Sequence, residues 1–272
     1  MMKATTLKGG VVGNPIGHSL SPLIHRAWIA AAGIDAVYEP YEPDDEAAFL
    51  ALVDIGRAGR LRGLNVTAPF KLAALEAADA VSDTARRAGS ANLLVFEDGR
   101  VRADSTDGLG LMAALAEQAP TLDLQGSPAV VLGAGGAARA AIAALIDAGA
   151  EVRIVNRTRD KADALAADLG GVAMDPDTAL DGAALVVNAL SVAPDIDVSR
   201  LPGGAVLMDM TYRPLETAFL AAGRAQGLTG VDGLAMLIGQ ARPSFQALFG
   251  VAPPAVKVRS LALEAQALEN GR

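Results

Sequence analysis

Residues 128–161 read PAVVLGAGGAARAAIAALIDAGAEVRIVNRTRDK, and the fold is decided there. A short apolar run from Ala129 to Leu132 meets glycines at Gly133, Gly135 and Gly136, and an alanine-rich helical run continues to Ala148. That order is a strand, a tight turn and a helix start. The spacing Gly133-x-Gly135-x-x-Ala138 suits a dinucleotide pyrophosphate. Gly133 permits the turn, Gly135 lets the backbone approach the phosphates, and Ala138 lets the helix pack close to the strand. With Ala134, Gly136 and Ala137 these residues make up the expected cofactor turn, where free N–H groups at the helix start face the anion. Gly149 stops the helix, and Glu151 to Val155 reads as a second strand. The alternative is a glycine turn in some other doubly wound domain.

The residues after the second strand narrow the cofactor. An NAD site usually has Asp or Glu there to accept hydrogen bonds from the ribose 2′-hydroxyl, whereas this chain has Asn156, Arg157, Thr158 and Arg159, then Lys161. A carboxylate would repel a 2′-phosphate. Arg157 can pair with one through its planar fork, Thr158 can donate a hydroxyl, and Lys161 adds positive charge. The stretch therefore predicts NADP rather than NAD, against the plainer reading of a solvated basic turn.

The 272 residues allow one large domain or two of ordinary size, and 51% hydrophobic residues provide a substantial core. A formal charge of −8 disfavours general attraction to nucleic acid or an anionic membrane, so any anion site must be local. The absence of cysteine excludes disulfides, thiolate metal sites and cysteine nucleophiles. The start, MMKATTLKGGVVG, lacks a secretory apolar core and no apolar run is long enough to span a bilayer, so a cytoplasmic protein is expected. His18 and His25 lie seven residues apart without accompanying carboxylates, which is poor metal-ligand spacing. No metal is expected, and structural or capping roles suit both histidines.

Ahead of the nucleotide unit, Leu7 to Gly13 reads as a strand, followed by a polar loop at Asn14 to Ser21 and a helix from near Pro22 to Gly33. Val37 to Tyr41 reads as a strand, Asp44 to Ile55 as a helix, and Gly63 to Val66 as a brief strand leading into Thr67-Ala68-Pro69-Phe70-Lys71. A helix over Leu72 to Ala78 and a hairpin around Asp98-Gly99 complete a first domain. Asp107 to Glu117 should be a helix leading out of it. After Val155 come a helix at Arg159 to Leu169, strands at Ala184 to Asn188 and Ala205 to Asp209, and a helix at Glu216 to Gln226. Strands separated by helices imply a mostly parallel sheet. A last helical region, Met236 to Phe249 and again after Pro254, either caps that sheet or returns to the first domain.

A nicotinamide-type fold needs a partner that moves a proton while the cofactor moves hydride. Lys71 follows a strand and a Thr-Ala-Pro-Phe turn that could hold its ammonium in a cleft; Asp107 begins a helix after a short strand, where it could cap N–H groups or face a ligand. From spacing alone, a surface lysine and an ordinary N-cap are the simpler readings.

Several short blocks taken together say more. Gly13-Asn14-Pro15-Ile16-Gly17-His18-Ser19-Leu20-Ser21-Pro22, Asn65-Val66-Thr67-Ala68-Pro69-Phe70-Lys71, Thr106-Asp107-Gly108, the glycine turn with Asn156-Arg157-Thr158, and Asp232-Gly233-Leu234-Ala235-Met236-Leu237-Ile238-Gly239-Gln240 resemble the shikimate dehydrogenase family in wording and order. The resemblance covers nearly the whole chain. It implies an N-terminal α/β substrate domain, a C-terminal Rossmann-type doubly wound parallel sheet, and an active-site cleft between them, where NADPH reduces 3-dehydroshikimate to shikimate in the route to aromatic amino acids. The corresponding domains are 1–106 and 107–236, with the helical region 237–272 able to return to the first.

Carried onto matching positions, Ser19 and Ser21 bind the substrate carboxylate, while Asn65, Thr67, Asn92, Thr106 and Gln240 hydrogen-bond its ring substituents or shape the site. Lys71 and Asp107 become the catalytic pair. Tyr212 resembles the family tyrosine near substrate and nicotinamide; Gly233 and Met236 match the segment lying against the nicotinamide, and Asn188 precedes the nicotinamide path. Tyr212 could equally pack a loop, and Met236 could equally be core. The chain departs from the family wording at Leu93, Ser105 and Leu190, which remove a hydroxyl, shorten an amide and add bulk. The expected partner is a small molecule, shikimate or a close relative, acting on a monomer or homodimer. A quinate or aminoshikimate dehydrogenase is the nearest alternative, and an NADPH-binding regulatory protein with little turnover is the alternative of another class.

Overall fold

The computed structural model describes residues 6–270, with the side chains of residues 269 and 270 excepted. The first five residues of the MMKATTLKGGVVG start, expected to carry no leader, lie outside the described part. The chain divides into two compact units: residues 1–106 with 241–272, and residues 107–240.

The first unit is a six-stranded mixed sheet with helices. It opens with β1 (Leu7–Val12), α1 (Ser21–Ala32), β2 (Ala36–Tyr41), α2 (Glu46–Arg57), β3 (Gly63–Val66) and α3 (Lys71–Glu76). Then come β4 (Ala80–Val81), α4 (Asp83–Ala88), β5 (Leu93–Glu97) and β6 (Arg100–Asp104). The strand order is β2-β1-β3-β5-β6-β4. β1 pairs in parallel with β2 and β3, with Val12 level with Tyr41 and Val66; β5 then runs antiparallel to both β3 and β6. Small residues make the close pairing possible. A Cβ on Gly10 would lie 2.3 Å from the carbonyl oxygen of Glu39 and 2.5 Å from the Tyr41 ring.

Local chemistry caps the helices of this unit. Asp45 accepts from the N–H of Ala48 at 2.8 Å at the start of α2, and Ser82 accepts from Ala85 at 3.1 Å at the start of α4, each satisfying an otherwise orphaned donor. α1 stops at Gly33, which takes φ 64°. One side of the core gathers Val12, Phe49, Val53, Leu64, Val66 and Phe70, with the rings of Phe49 and Phe70 stacked at 5.0 Å.

The second unit begins with α5 (Asp107–Gln118) and continues through β7 (Pro128–Leu132), α6 (Gly136–Asp147), β8 (Glu151–Val155), α7 (Arg159–Leu169), β9 (Val172–Ala173) and α8 (Pro176–Ala179). It proceeds through β10 (Leu185–Asn188), a 3-10 turn at Val198–Arg200, β11 (Val206–Asp209), α9 (Ala218–Ala225), β12 (Thr229–Val231) and α10 (Gly233–Phe249). The unit boundary falls inside α10, and α11 (Val258–Asn270) follows in the first unit.

All six strands of this second sheet are parallel, in the order β12-β11-β10-β7-β8-β9. Reversed, that is the doubly wound arrangement in which the first strand sits centrally and successive strands step outward on either side. β7 is fully buried from Ala129 to Leu132, as a central parallel strand must be. Ala138, Ala141, Ile142 and Leu145 of α6 face it in a dry core shared with Leu111 and Leu115 of α5. Among the described residues, no helix is long and apolar enough to cross a membrane.

Candidate active site

In the first unit the parallel strands deliver their C-terminal loops to one place. The N–H of Thr67 donates to Val12 O at 2.9 Å and that of Asn14 to Ala68 O at 3.1 Å, tying the loop after β1 to the loop after β3. A Cβ on Gly13 would meet Thr67 Cγ2 at 2.3 Å, so the first loop needs glycine to lie this close. Val66 N–H donates to Asn92 O at 2.8 Å and Ala91 N–H to Lys71 O at 2.9 Å, which adds the segment before β5 and the start of α3. Asn65, Thr67, Lys71, Asn92 and Thr106 therefore belong to one loop cluster. Ser19 and Ser21 sit on the adjoining loop, where Ser19 Oγ accepts from the Ser21 N–H at 3.3 Å and Ile16 N–H donates to Glu42 Oε2 at 3.2 Å.

Behind these loops lies a polar network that is buried except at Asn65. Tyr38 donates its hydroxyl to Asn65 Oδ1 at 2.8 Å, and Asn65 Nδ2 donates to Ser244 Oγ at 2.9 Å and Asn92 O at 3.3 Å. Asn92 Oδ1 accepts from the backbone N–H of Thr106 at 2.8 Å and from its hydroxyl at 3.2 Å; Asn92 Nδ2 donates to Thr106 Oγ1 at 3.0 Å. The hydroxyls of Thr106 and Ser244 lie 3.4 Å apart.

His25 stacks on Tyr38 with ring centroids 4.0 Å apart and meets Trp28 edge-on at 5.7 Å. Burial lowers the His25 pKa to about 3 and raises the Tyr38 hydroxyl well above its usual range, so both rings stay neutral. His18, by contrast, is exposed. Tyr38, His25 and Ser244 were not singled out as site residues from the sequence: they read as a strand aromatic, a helix-face histidine and an ordinary helix serine.

In the second unit, the expected cofactor residues stand at the C-terminal ends of β7, β8 and β10, across the switch point where the chain leaves β7 in one direction and returns for β10 in the other. Gly133 has φ 122°, a conformation that glycine adopts without strain and residues with a side chain do not, and a Cβ there would stand 3.2 Å from Leu190 Cδ2. Gly135 caps α6 in extended conformation, and nothing lies within 4 Å of where its Cβ would be. The first-turn N–H groups of a 12-residue helix follow directly on this turn.

After β8, Asn156 Nδ2 donates to Thr158 O at 2.8 Å and shapes the basic turn. Arg157, Thr158 and Lys161 are exposed, whereas Arg159 is engaged by Asp163, Asp175 and the carbonyl of Ala173.

Two further loops are held by buried Asp209. Its carboxylate accepts from Asn188 Nδ2 at 3.2 Å, Thr217 Oγ1 at 2.7 Å and the N–H of Thr211 at 2.9 Å, while Asn188 Oδ1 accepts from the N–H of Leu190 at 3.2 Å. Asn188, placed by sequence against the cofactor, is buried and shapes the Leu190 loop. Tyr212 is half-buried on the loop after β11, and burial raises its hydroxyl pKa against the opposing charge of Arg213.

Gly233 is pressed against Met210 and Thr211, whose atoms would lie 2.6 Å from its Cβ, and Met236 packs in the core. Gln240, half-buried, is the last residue of this unit. Lys71 belongs to the first unit and Asp107, buried at the start of α5, to the second. Among the described residues no group of three or more His, Cys, Asp or Glu side chains is placed to hold a metal ion.

A doubly wound sheet carrying a glycine turn at its switch point, joined to an α/β unit with a polar loop cluster, defines a two-unit protein of the dinucleotide-binding oxidoreductase type. Residues 11–94 match the shikimate dehydrogenase substrate binding domain and residues 114–192 the shikimate / quinate 5-dehydrogenase model. A shikimate dehydrogenase (NADP(+)) of Caulobacter vibrioides is 52% identical over 270 residues, covering 94% of both chains. The crystal structure of shikimate 5-dehydrogenase from Thermus thermophilus in complex with NADP(H) and shikimate superposes with a TM-score of 0.87 at 37% identity, over 95% of this chain and 99% of that one. Quinate dehydrogenase from Corynebacterium glutamicum in complex with NAD gives 0.86 at 29% identity, over 95% and 99%. This chain belongs to the shikimate dehydrogenase family.

Proposed function

We propose that this protein is an NADP-dependent dehydrogenase that interconverts 3-dehydroshikimate and shikimate. Residues 1–106 with 241–272 form its substrate-binding and catalytic half, and residues 107–240 its cofactor half, four residues longer than the 107–236 read from the sequence. The observation that carries the cofactor assignment is the turn after β8, where Asn156, Arg157 and Thr158 stand without a carboxylate and Arg157 and Lys161 are exposed cations. The identity to the Caulobacter vibrioides enzyme across almost the whole of both chains supports the substrate.

The residues fit the cofactor. Gly133 makes the turn and Gly135 leaves space where a side chain would stand, at the N-terminus of a helix suited to a pyrophosphate, and the basic turn offers a bidentate guanidinium for a 2′-phosphate. When bound, NADPH supplies hydride to the C3 carbonyl of the substrate. Lys71 Nζ gives a proton to the carbonyl oxygen as negative charge develops there, and in the reverse direction neutral Nζ takes the hydroxyl proton. Asp107 orients the lysine and compensates its charge. The hydroxyls of Ser19 and Ser21 donate to the substrate carboxylate; Thr67, Asn92, Tyr212 and Gln240 meet its ring hydroxyls, and Asn65 and Thr106 shape the site. Gly233, Met236 and Asn188 are the residues that would border a bound nicotinamide. The enzyme works in the cytoplasm as a monomer or homodimer.

Initial rates with shikimate and quinate, each against NADP and NAD, test substrate and cofactor at once. Shikimate with NADP should be the preferred pair. Efficient quinate oxidation with NAD, and none of shikimate with NADP, would overturn the substrate assignment. Tight NADPH binding with no turnover of any hydroxy acid would point instead to a regulatory protein.

A further inference from the structure

We propose that Asp209 is a positioning residue: its carboxylate, acting in part through Asn188, fixes the two loops at the nicotinamide end of the cofactor site, while the adenosine end is held without it. The proposal rests on the cofactor site assigned under the proposed function, in which Asp209 takes no step.

Asp209 ends β11 level with Asn188 at the end of β10, and Asn188 is level in turn with Leu132 at the end of β7. Two backbone groups set the orientation of the Asn188 amide. The N–H of Leu190 can only donate, so the Asn188 atom 3.2 Å from it is Oδ1; the carbonyl of Val192 can only accept, so the atom 3.4 Å from it is Nδ2. Nδ2 also donates to Asp209 Oδ2 at 3.2 Å. Oδ2 accepts the Thr217 hydroxyl at 2.7 Å as well, and Oδ1 accepts the N–H of Thr211 at 2.9 Å.

Donors thus reach both carboxylate oxygens from the loop after β10, the loop after β11 and the start of α9. A carboxylate only accepts, which suits all of them. An amide in its place would turn an N–H toward either Asn188 Nδ2 or the Thr211 N–H. Asp209 and Asn188 are both buried, so bulk water does not relieve that clash.

Both loops lie where a cofactor would feel them move. A Cβ on Gly133 would stand 3.2 Å from Leu190 Cδ2 and 3.5 Å from Ala189 O, so the loop after β10 runs alongside the glycine turn. The loop after β11 carries Tyr212 and presses on the start of α10, where a Cβ on Gly233 would stand 2.6 Å from Thr211 O. The adenosine side has its own anchors. Gly133 N–H donates to Val155 O at 2.8 Å, and Asn156 shapes the basic turn through Thr158 O.

The test uses the whole chain with Asp209→Asn, and with Thr217→Val beside the conservative Thr217→Ser. Asp209→Asn should weaken NADPH roughly tenfold in a fluorescence titration, the effect of one hydrogen bond, and lower kcat with shikimate as the reacting groups lose alignment. Binding of 2′,5′-ADP, which lacks the nicotinamide half, should be unchanged. Thr217→Val should move in the same direction, and Thr217→Ser should match the parent. Equal losses for NADPH and 2′,5′-ADP, or an unchanged NADPH affinity, would reduce Asp209 to fold support and overturn the proposal.

If the parent binds neither NADPH nor 2′,5′-ADP, the cofactor reading fails, and backbone hydrogen exchange of the ligand-free protein still decides the role of Asp209. In Asp209→Asn the amide of Leu190, which Asp209 reaches through Asn188, should exchange faster together with that of Thr211, while that of Gly133 keeps its rate. Faster exchange at Thr211 alone, or at none of them, would overturn it.

Discussion

Lowering the pH from 7.5 to 5 should destabilise the first unit by about 2 kcal/mol through His25 alone. His25 is fully buried, and its pKa falls from 6.5 to about 3 because its charged form would lose hydration among the rings of Tyr38, Trp28 and Phe245. The unfolded chain binds a proton at this imidazole as pH passes below 6.5, while the folded chain binds none until near pH 3. The unfolded state therefore holds more protons throughout that window, and stability present above pH 6.5 is lost as pH falls. The slope is about 1.4 kcal/mol per pH unit once the unfolded imidazole is charged, which integrates to about 2 kcal/mol by pH 5.

Trp28, the single tryptophan of the chain, lies edge-on to His25 and reports the same unit by fluorescence. In urea unfolding followed at Trp28, the parent midpoint should fall by about 1 M between the two pH values. His25→Phe keeps a ring in the stack and removes the titration, so its midpoint should fall by only the small carboxylate share common to both proteins. Equal falls in the two proteins would refute the burial argument.

Three other outcomes follow from the site. Lys71→Ala should lower kcat by about 10²–10⁴-fold with little change in NADP affinity, measured by steady-state rates and cofactor titration; unchanged turnover would remove Lys71 from proton transfer. Arg157→Ala should weaken NADP by roughly tenfold or more and leave NAD almost unaffected, since a charge-assisted hydrogen bond is worth about 1.5–3 kcal/mol; equal losses for both cofactors would move the 2′-phosphate elsewhere. Gly133→Ala places a Cβ at φ 122° and 3.2 Å from Leu190, and should cost about 1–3 kcal/mol in thermal unfolding while raising the KM for NADP.

The doubly wound sheet was legible because each of its main elements carries its own signal. β7 is a short apolar run, α6 a long alanine-rich one, and a glycine punctuates them. The two-residue strands β4 and β9 and the four-residue α8 went unread, since none is long enough to show a period. The reversal of β5 between β3 and β6 was half legible. Asp98-Gly99 marks the hairpin with β6, with Asp98 at φ 51°, but β5 is buried from Leu93 to Phe96 and its pattern does not say which neighbour lies on its other edge or in which direction. Read as strands separated by helices, that region says nothing of a mixed sheet.

The site residues divide along a different line. A side chain whose partner is a ligand can be guessed from chemistry, because the ligand asks for a hydroxyl, a cation or an amide. A side chain whose partner is another part of the chain can be identified only once the backbone has folded. Asn65 and Asn188 illustrate the second case in the two units. Asn65 was read as a ring contact or as shaping the site and Asn188 as a cofactor residue, and each bonds to backbone and side chains of its own unit: Asn65 to Asn92 O, Ser244 and Tyr38, Asn188 to Val192 O, Asp209 and the N–H of Leu190. An asparagine at the end of a parallel strand can match the donor and acceptor left by the loops that diverge there. Polar residues at strand ends thus hold the loops that follow them, and Thr67 and Lys71 come next in the chain on the loop that Asn65 helps to fix.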